Sequence, residues 1–168
     1  MAEDVRAYKA AEKAFLASEG IDDAAELFVD LDRTGGQVRL LDIGASSDPP
    51  VIFVPGVMTT GVAFAGLVGR LEGFRRLLLD RPGTGLSPPL DPPPADIYAQ
   101  RQVADTLIVD IIDGLDLDEA DLVCTSMGGY TAFRSAAAFP DRIGRIFALA
   151  YQVGARISDA PLLSLIHI

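Results

Sequence analysis

The sequence predicts an α/β fold: a mostly parallel sheet with helices on both faces and an antiparallel first hairpin. Three observations carry this expectation. Two β patterns, residues 26–31 and 37–43, flank Asp32-Arg33-Thr34-Gly35-Gly36, whose paired glycines permit the positive φ of a tight turn. Alternation then gives way to short unbroken apolar runs such as Val51-Ile52-Phe53-Val54, as expected for strands buried on both faces. From there strand and helix patterns alternate, which implies right-handed crossovers between parallel strands.

Taken in order, residues 4–18 read as an amphipathic helix with Val5, Tyr8, Ala11, Phe15 and Leu16 toward one face and Gly20 as its C-terminal cap. The hairpin follows, and then the strand at 51–54. Residues 62–72 carry helical spacing through Phe64, Leu67, Val68 and Leu71, and residues 76–80 return as an apolar strand ending in Asp80. The proline-rich stretch 88–94 is loop. Residues 96–114 give the strongest helix: Val103, Leu107, Ile111 and Leu115 recur at four-residue intervals, with Ile108 and Ile112 widening the stripe. A strand at 121–124, a helix at 129–138 and a strand at 145–150 complete the alternation. Residues 1–23 thus form an N-terminal helical segment ahead of the α/β portion, 24–168.

Composition narrows the function classes. A chain of 168 residues, 49% hydrophobic, suffices for one core or part of a larger one. Net charge −10, from 24 acidic and 14 basic residues spread along the chain, disfavours nucleic acid and anionic membranes as partners. The lone Cys124 can form no internal disulfide, and no Cys/His cluster suggests a metal site. With no basic-apolar leader and no apolar run of membrane-spanning length, the expectation is a soluble cytoplasmic protein.

The sharpest chemical feature is Val123-Cys124-Thr125-Ser126-Met127-Gly128-Gly129, where a serine stands at the passage from an apolar strand to a helix. Read by itself, Ser126 is either a helix N-cap or a serine on a strained turn that lifts its hydroxyl above the sheet. Cys124-Thr125-Ser126-Met127-Gly128 resembles the Gly-x-Ser-x-Gly nucleophile elbow of α/β hydrolases, with cysteine in place of the first glycine. Val54-Pro55-Gly56-Val57 stands where that family has His-Gly before an oxyanion-hole residue, Pro55 replacing the histidine. Leu79-Asp80-Arg81-Pro82-Gly83-Thr84-Gly85-Leu86-Ser87 looks like the family's Asp-x-Arg-Gly-x-Gly-x-Ser turn, with the arginine moved next to the aspartate. Asp80 and Arg81 are expected to hydrogen-bond the backbone of that loop. A dinucleotide-binding turn is disfavoured, because this Gly-x-Gly opens a proline-rich loop rather than a helix. Phe139-Pro140-Asp141-Arg142 matches a further family turn, so the resemblance spans about residues 24–150.

The resemblance implies a serine hydrolase acting on a small-molecule carboxylic ester or related acyl substrate through an acyl-Ser126 intermediate, without a cofactor. The backbone N–H groups of Val57 and Met127 would form the oxyanion hole. The alternatives are a C–C hydrolase or perhydrolase of the same fold, or a non-catalytic binding protein. Dehalogenases and epoxide hydrolases call for aspartate at the elbow, where this chain has Ser126. Cys124, on the strand before the turn, is expected to pack inward rather than to react.

A catalytic serine also needs a histidine and a carboxylate, in the chain order Ser, acid, His. After Ser126 the carboxylates are Asp141 and Asp159, and the only histidine is His167. Asp141 belongs to a helix-ending turn, Asp159 has no following strand to place it, and His167 has no framework after it. The chain is therefore expected to be an incomplete α/β-hydrolase fold, truncated at its C-terminus and inactive alone. Residues 162–168 resemble translated adapter sequence.

Overall fold

The unbroken apolar runs fold as strands whose alternate side chains enter two separate cores. The computed structural model describes residues 2–150. Six strands, β1 (Ala25–Asp30), β2 (Gln37–Ile43), β3 (Pro50–Val54), β4 (Arg75–Asp80), β5 (Ala120–Thr125) and β6 (Ile143–Leu149), form one sheet in the order β1-β2-β4-β3-β5-β6. The pairs β1–β2 and β2–β4 are antiparallel; β3 runs parallel to both β4 and β5, and β5 parallel to β6. The helices are α1 (Ala2–Ser18), α2 (Ala65–Val68), α3 (Ile97–Gly114) and α4 (Met127–Ala138).

A period of two sorts each strand between the faces. Ile52, Val54, Leu77, Leu79 and Leu122 pack against Leu107, Ile108, Ile111 and Ile112 of α3 and Ala132 and Ala136 of α4. Their neighbours Val51, Phe53, Leu78 and Val123 face the opposite way, onto Leu16 of α1 and Phe64, Ala65 and Val68 around α2. Each such valine, leucine, isoleucine or phenylalanine side chain withdrawn from water stabilises the fold by about 1.5–3 kcal/mol. Among the described residues no helix is long and apolar enough to cross a membrane.

The expected elements are present, with three departures. The segment 62–72 is a 3-10 turn, Gly61–Phe64, followed by the single α-turn α2. Gly66, Gly69 and Gly73 disfavour a longer helix, and the Arg76 guanidinium takes the Val68 carbonyl at 3.0 Å, ending it there. Helix α4 begins at Met127, two residues earlier than the pattern suggests, directly behind Ser126. The third departure is the buried face of α1: Glu12 and Leu16 are buried, whereas Val5 and Phe15 are 41% and 46% exposed.

An arginine explains that rotation. Arg39 of β2, only 2% exposed, meets three carboxylates: Glu12 at 3.0 and 2.5 Å, Glu26 at 2.7 Å and Asp80 at 3.0 Å. Burial alone would lower its pKa, but hydrogen bonds with Glu12 and Asp80 hold it above its ordinary value. A buried guanidinium without partners costs several kcal/mol, so satisfying it outweighs burying Phe15. Asp80 in turn accepts the N–H groups of Gly61 at 3.2 Å and Leu86 at 3.1 Å, tying this cluster to the loops that follow β3 and β4. On the other side of the sheet the buried Asp110 of α3 accepts the N–H groups of Arg33 and Thr34, fixing the hairpin turn.

Removing the cation leaves two buried carboxylates without compensation. Arg39→Met is expected to lower the free energy of unfolding in urea by about 3–5 kcal/mol, and an unchanged denaturation midpoint would refute this weight for the cluster.

Candidate active site

The carboxyl ends of β3 and β5 lie side by side, with the chain leaving β3 toward β4 on one side and arriving at β5 on the other. Such a switch point leaves a crevice between diverging loops, the usual ligand position in a parallel sheet. Here the loop after β3 supplies Gly56 and Val57, and the turn after β5 supplies Ser126 and Met127.

Ser126 joins β5 to α4 with φ 48° and ψ −123°, a strained conformation for a residue with a Cβ. It occupies the N-cap position, yet its hydroxyl makes no capping hydrogen bond, and an N-cap ordinarily has extended backbone. The side chain is left exposed. The turn is this sharp because α4 starts in contact with the end of β3: a Cβ on Gly128 would sit 2.1 Å from the Val54 carbonyl oxygen and 2.8 Å from that of Pro55. Only glycine permits that approach. A Cβ on Gly56 would lie 3.1 Å from the Ser126 Cβ, so the two loops touch at the serine itself.

As the first residue of α4, Met127 has an N–H with no intrahelical acceptor. The peptide that carries the Val57 N–H is oriented from its other end, where the Gly56 carbonyl accepts the Thr59 hydroxyl at 3.2 Å. In a trans peptide the N–H points opposite to the carbonyl, so Thr59 sets the direction of the Val57 donor. The sequence reading missed this threonine; its only signal is a hydroxyl three residues beyond Gly56.

Cys124 lies one step inside the turn, fully buried in the α3–α4 core, with its thiol directed at the Phe147 carbonyl at 3.7 Å. Burial pushes that thiol up to about 12, which keeps it neutral. Asp80 hydrogen-bonds its own loop as expected, through the Leu86 N–H. The Arg81 carbonyl accepts the Thr84 N–H at 2.9 Å and hydroxyl at 2.8 Å, but its guanidinium leaves the loop, Nη1 reaching across to the Pro55 carbonyl at 3.5 Å, in the loop after β3. Burial holds Arg81 below its ordinary pKa, and no salt bridge to it occurs among the described residues. A cavity of about 460 Å³ lies alongside, lined by Val57, Arg81, Gln100, Met127, Tyr130 and Thr131 with apolar residues of the proline-rich loop and α3. Ser126 is not itself among the lining residues, although Met127 beside it is. Asp141 sits exposed in a 3-10 turn, Pro140–Arg142, after α4. Asp159, His167 and the segment 162–168 lie outside the described residues.

Comparison with known proteins bears on the fold and the family. The chain is 29% identical over 131 residues to a 2-hydroxy-6-oxononadienedioate/2-hydroxy-6-oxononatrienedioate hydrolase of Cupriavidus pinatubonensis, a match covering 75% of this chain and 44% of that protein. It is 26% identical over 142 residues to the hydrolase of the same name from Burkholderia vietnamiensis, covering 84% and 46%. The chain thus spans less than half the length of these curated relatives. Among solved structures, carboxylesterase CesB of Bacillus subtilis superimposes with a TM-score of 0.69 at 20% identity, covering 86% of this chain and 48% of that one, which shows a common fold. The family model described as alpha/beta hydrolase fold matches residues 49–164, and the chain belongs to that family.

Proposed function

We propose that Ser126 is the nucleophile of a hydrolase that cleaves a carboxylic ester or related acyl compound through an acyl-serine intermediate. The observation that carries this reading is the strained backbone of Ser126, held at φ 48° between a buried strand and a helix it does not cap. A merely structural serine has no need of such strain.

The chemistry divides among named groups. Ser126 Oγ adds to the carbonyl carbon while a base takes its proton; the leaving group departs with that proton, and water then releases the acyl group by the same route. The tetrahedral oxygen accepts hydrogen bonds from the Val57 and Met127 N–H groups, whose directions are fixed before substrate arrives. Residues 2–150 hold no histidine, so on this reading the base that takes the Ser126 proton comes from outside them. No cofactor takes part. A lone, unbridged cysteine fits a reducing, cytoplasmic setting.

The curated relatives favour a second reading, in which the bond broken is a C–C bond beside a ketone. The serine and the oxyanion donors serve both reactions, which differ in what departs from the acyl carbon.

Expressed from its complete reading frame, the protein should release p-nitrophenolate from p-nitrophenyl butyrate, and Ser126→Ala should lower kcat by about a thousandfold or more. Activity retained in Ser126→Ala assigns the chemistry elsewhere; turnover of a 2-hydroxy-6-oxo-dienedioate with the ester left intact selects the second reading. Cys124 should resist Ellman's reagent at pH 8 in the folded protein and react on unfolding in urea. Fast reaction in the native state would contradict its place in the core.

A further inference from the structure

Arg39 and Arg75 are buried, and each is held by carboxylates: Arg39 by three, Arg75 by Asp42 at 2.8 Å. Arg81 is different. It lies partly buried at the carboxyl end of β4, and the one hydrogen bond of its side chain among the described residues is the 3.5 Å contact with the Pro55 carbonyl. A guanidinium carries five N–H donors in a planar fork, so most of its capacity is unspent. Among the described residues it is also the only charged one lining the cavity of about 460 Å³, and no carboxylate of theirs shares that lining. Gln100, Tyr130 and Thr131 add polar atoms to the same wall, while Leu90, Leu107 and the prolines make the rest apolar.

We propose that Arg81 is a specificity residue that binds an anionic group of the substrate, a carboxylate carried on the same molecule as the acyl carbon attacked by Ser126. The proposal rests on the serine-hydrolase reading for the identity of the cavity and adds the charge of the substrate. Its physical basis is complementarity: a partly desolvated cation with no anion beside it among the described residues gains most from a ligand that brings one. In a chain of net charge −10 the surrounding field favours no anion, so selectivity for one must come from a local cation. Arg81 supplies it next to the oxyanion donors, since its Pro55 contact precedes Gly56 and Val57 and the cavity wall includes both Val57 and Met127. A planar carboxylate matches the fork with two parallel hydrogen bonds.

The test measures binding rather than turnover, in the Ser126→Ala protein expressed from its complete reading frame, so that the role of Ser126 and the role of Arg81 fail separately. Two probes of similar shape are titrated by NMR: monomethyl adipate, which is anionic, and methyl adipamate, its neutral amide. The anion should bind about tenfold more tightly, with the preference shrinking as salt is raised. Arg81→Gln should abolish the preference while leaving the amide's affinity unchanged, and Arg81→Lys should restore part of it. Circular dichroism of both variants checks that the fold persists. Equal affinities, binding of neither probe, or a preference that survives Arg81→Gln in the folded protein overturns the proposal.

Discussion

The contact on which the site depends is the approach of Gly128 to the Val54 and Pro55 carbonyls. It sets the start of α4 against the end of β3, leaving a single residue to turn the chain from strand to helix. That residue is Ser126, and its positive φ is the geometric consequence. The same contact brings Gly56 against the serine, so one close approach gathers Ser126, Met127 and the loop carrying Val57. The strain at Ser126 persists because the surrounding sheet and helix over-determine it.

A second layer lies beneath, in the charged cluster around Arg39. Asp80 is shared: one oxygen meets Arg39 and the Leu86 N–H, the other the Gly61 N–H. The loops that border the site are therefore anchored by a carboxylate that itself answers a buried cation. Glu12 brings α1 into the same arrangement, which connects the N-terminal helix to the loops around the crevice. Glu26 completes it; burial raises its pKa, but hydrogen bonds from Lys9 and Arg39 outweigh this and hold it below its ordinary value. That contribution is present above the ordinary carboxylate pKa of 4.5 and is lost as pH falls through the lowered one.

Much of this was legible in the sequence. The strands are apolar on both faces and bounded by glycine and proline, so their runs show even where alternation does not. The stripe of α3 stands out because its face is broad and its sole buried acid, Asp110, is hidden between valine and isoleucine. What periodicity cannot show is which face wins when a buried charge competes with an aromatic ring: Glu12 and Phe15 lie on adjacent faces of α1, and only the distant Arg39 decides between them. The shortness of α2 depends likewise on Arg76 capturing the Val68 carbonyl. At the site, Ser126, Val57 and Met127 could be named from local motifs. Thr59 could not, and Arg81 was placed by its motif but with a different contact, since both reach carbonyls of the loop after β3 that no spacing rule identifies.

The central claim is that the Ser126 hydroxyl and the Val57 and Met127 N–H groups converge on one reacting carbonyl. The most direct measurement is a crystal structure of the protein, expressed from its complete reading frame, after reaction with diethyl p-nitrophenyl phosphate. The account predicts phosphorus bonded to Ser126 Oγ and a phosphoryl oxygen about 2.7–3.1 Å from both N–H groups. An adduct on another residue, or a phosphoryl oxygen turned away from Val57 and Met127, would contradict it.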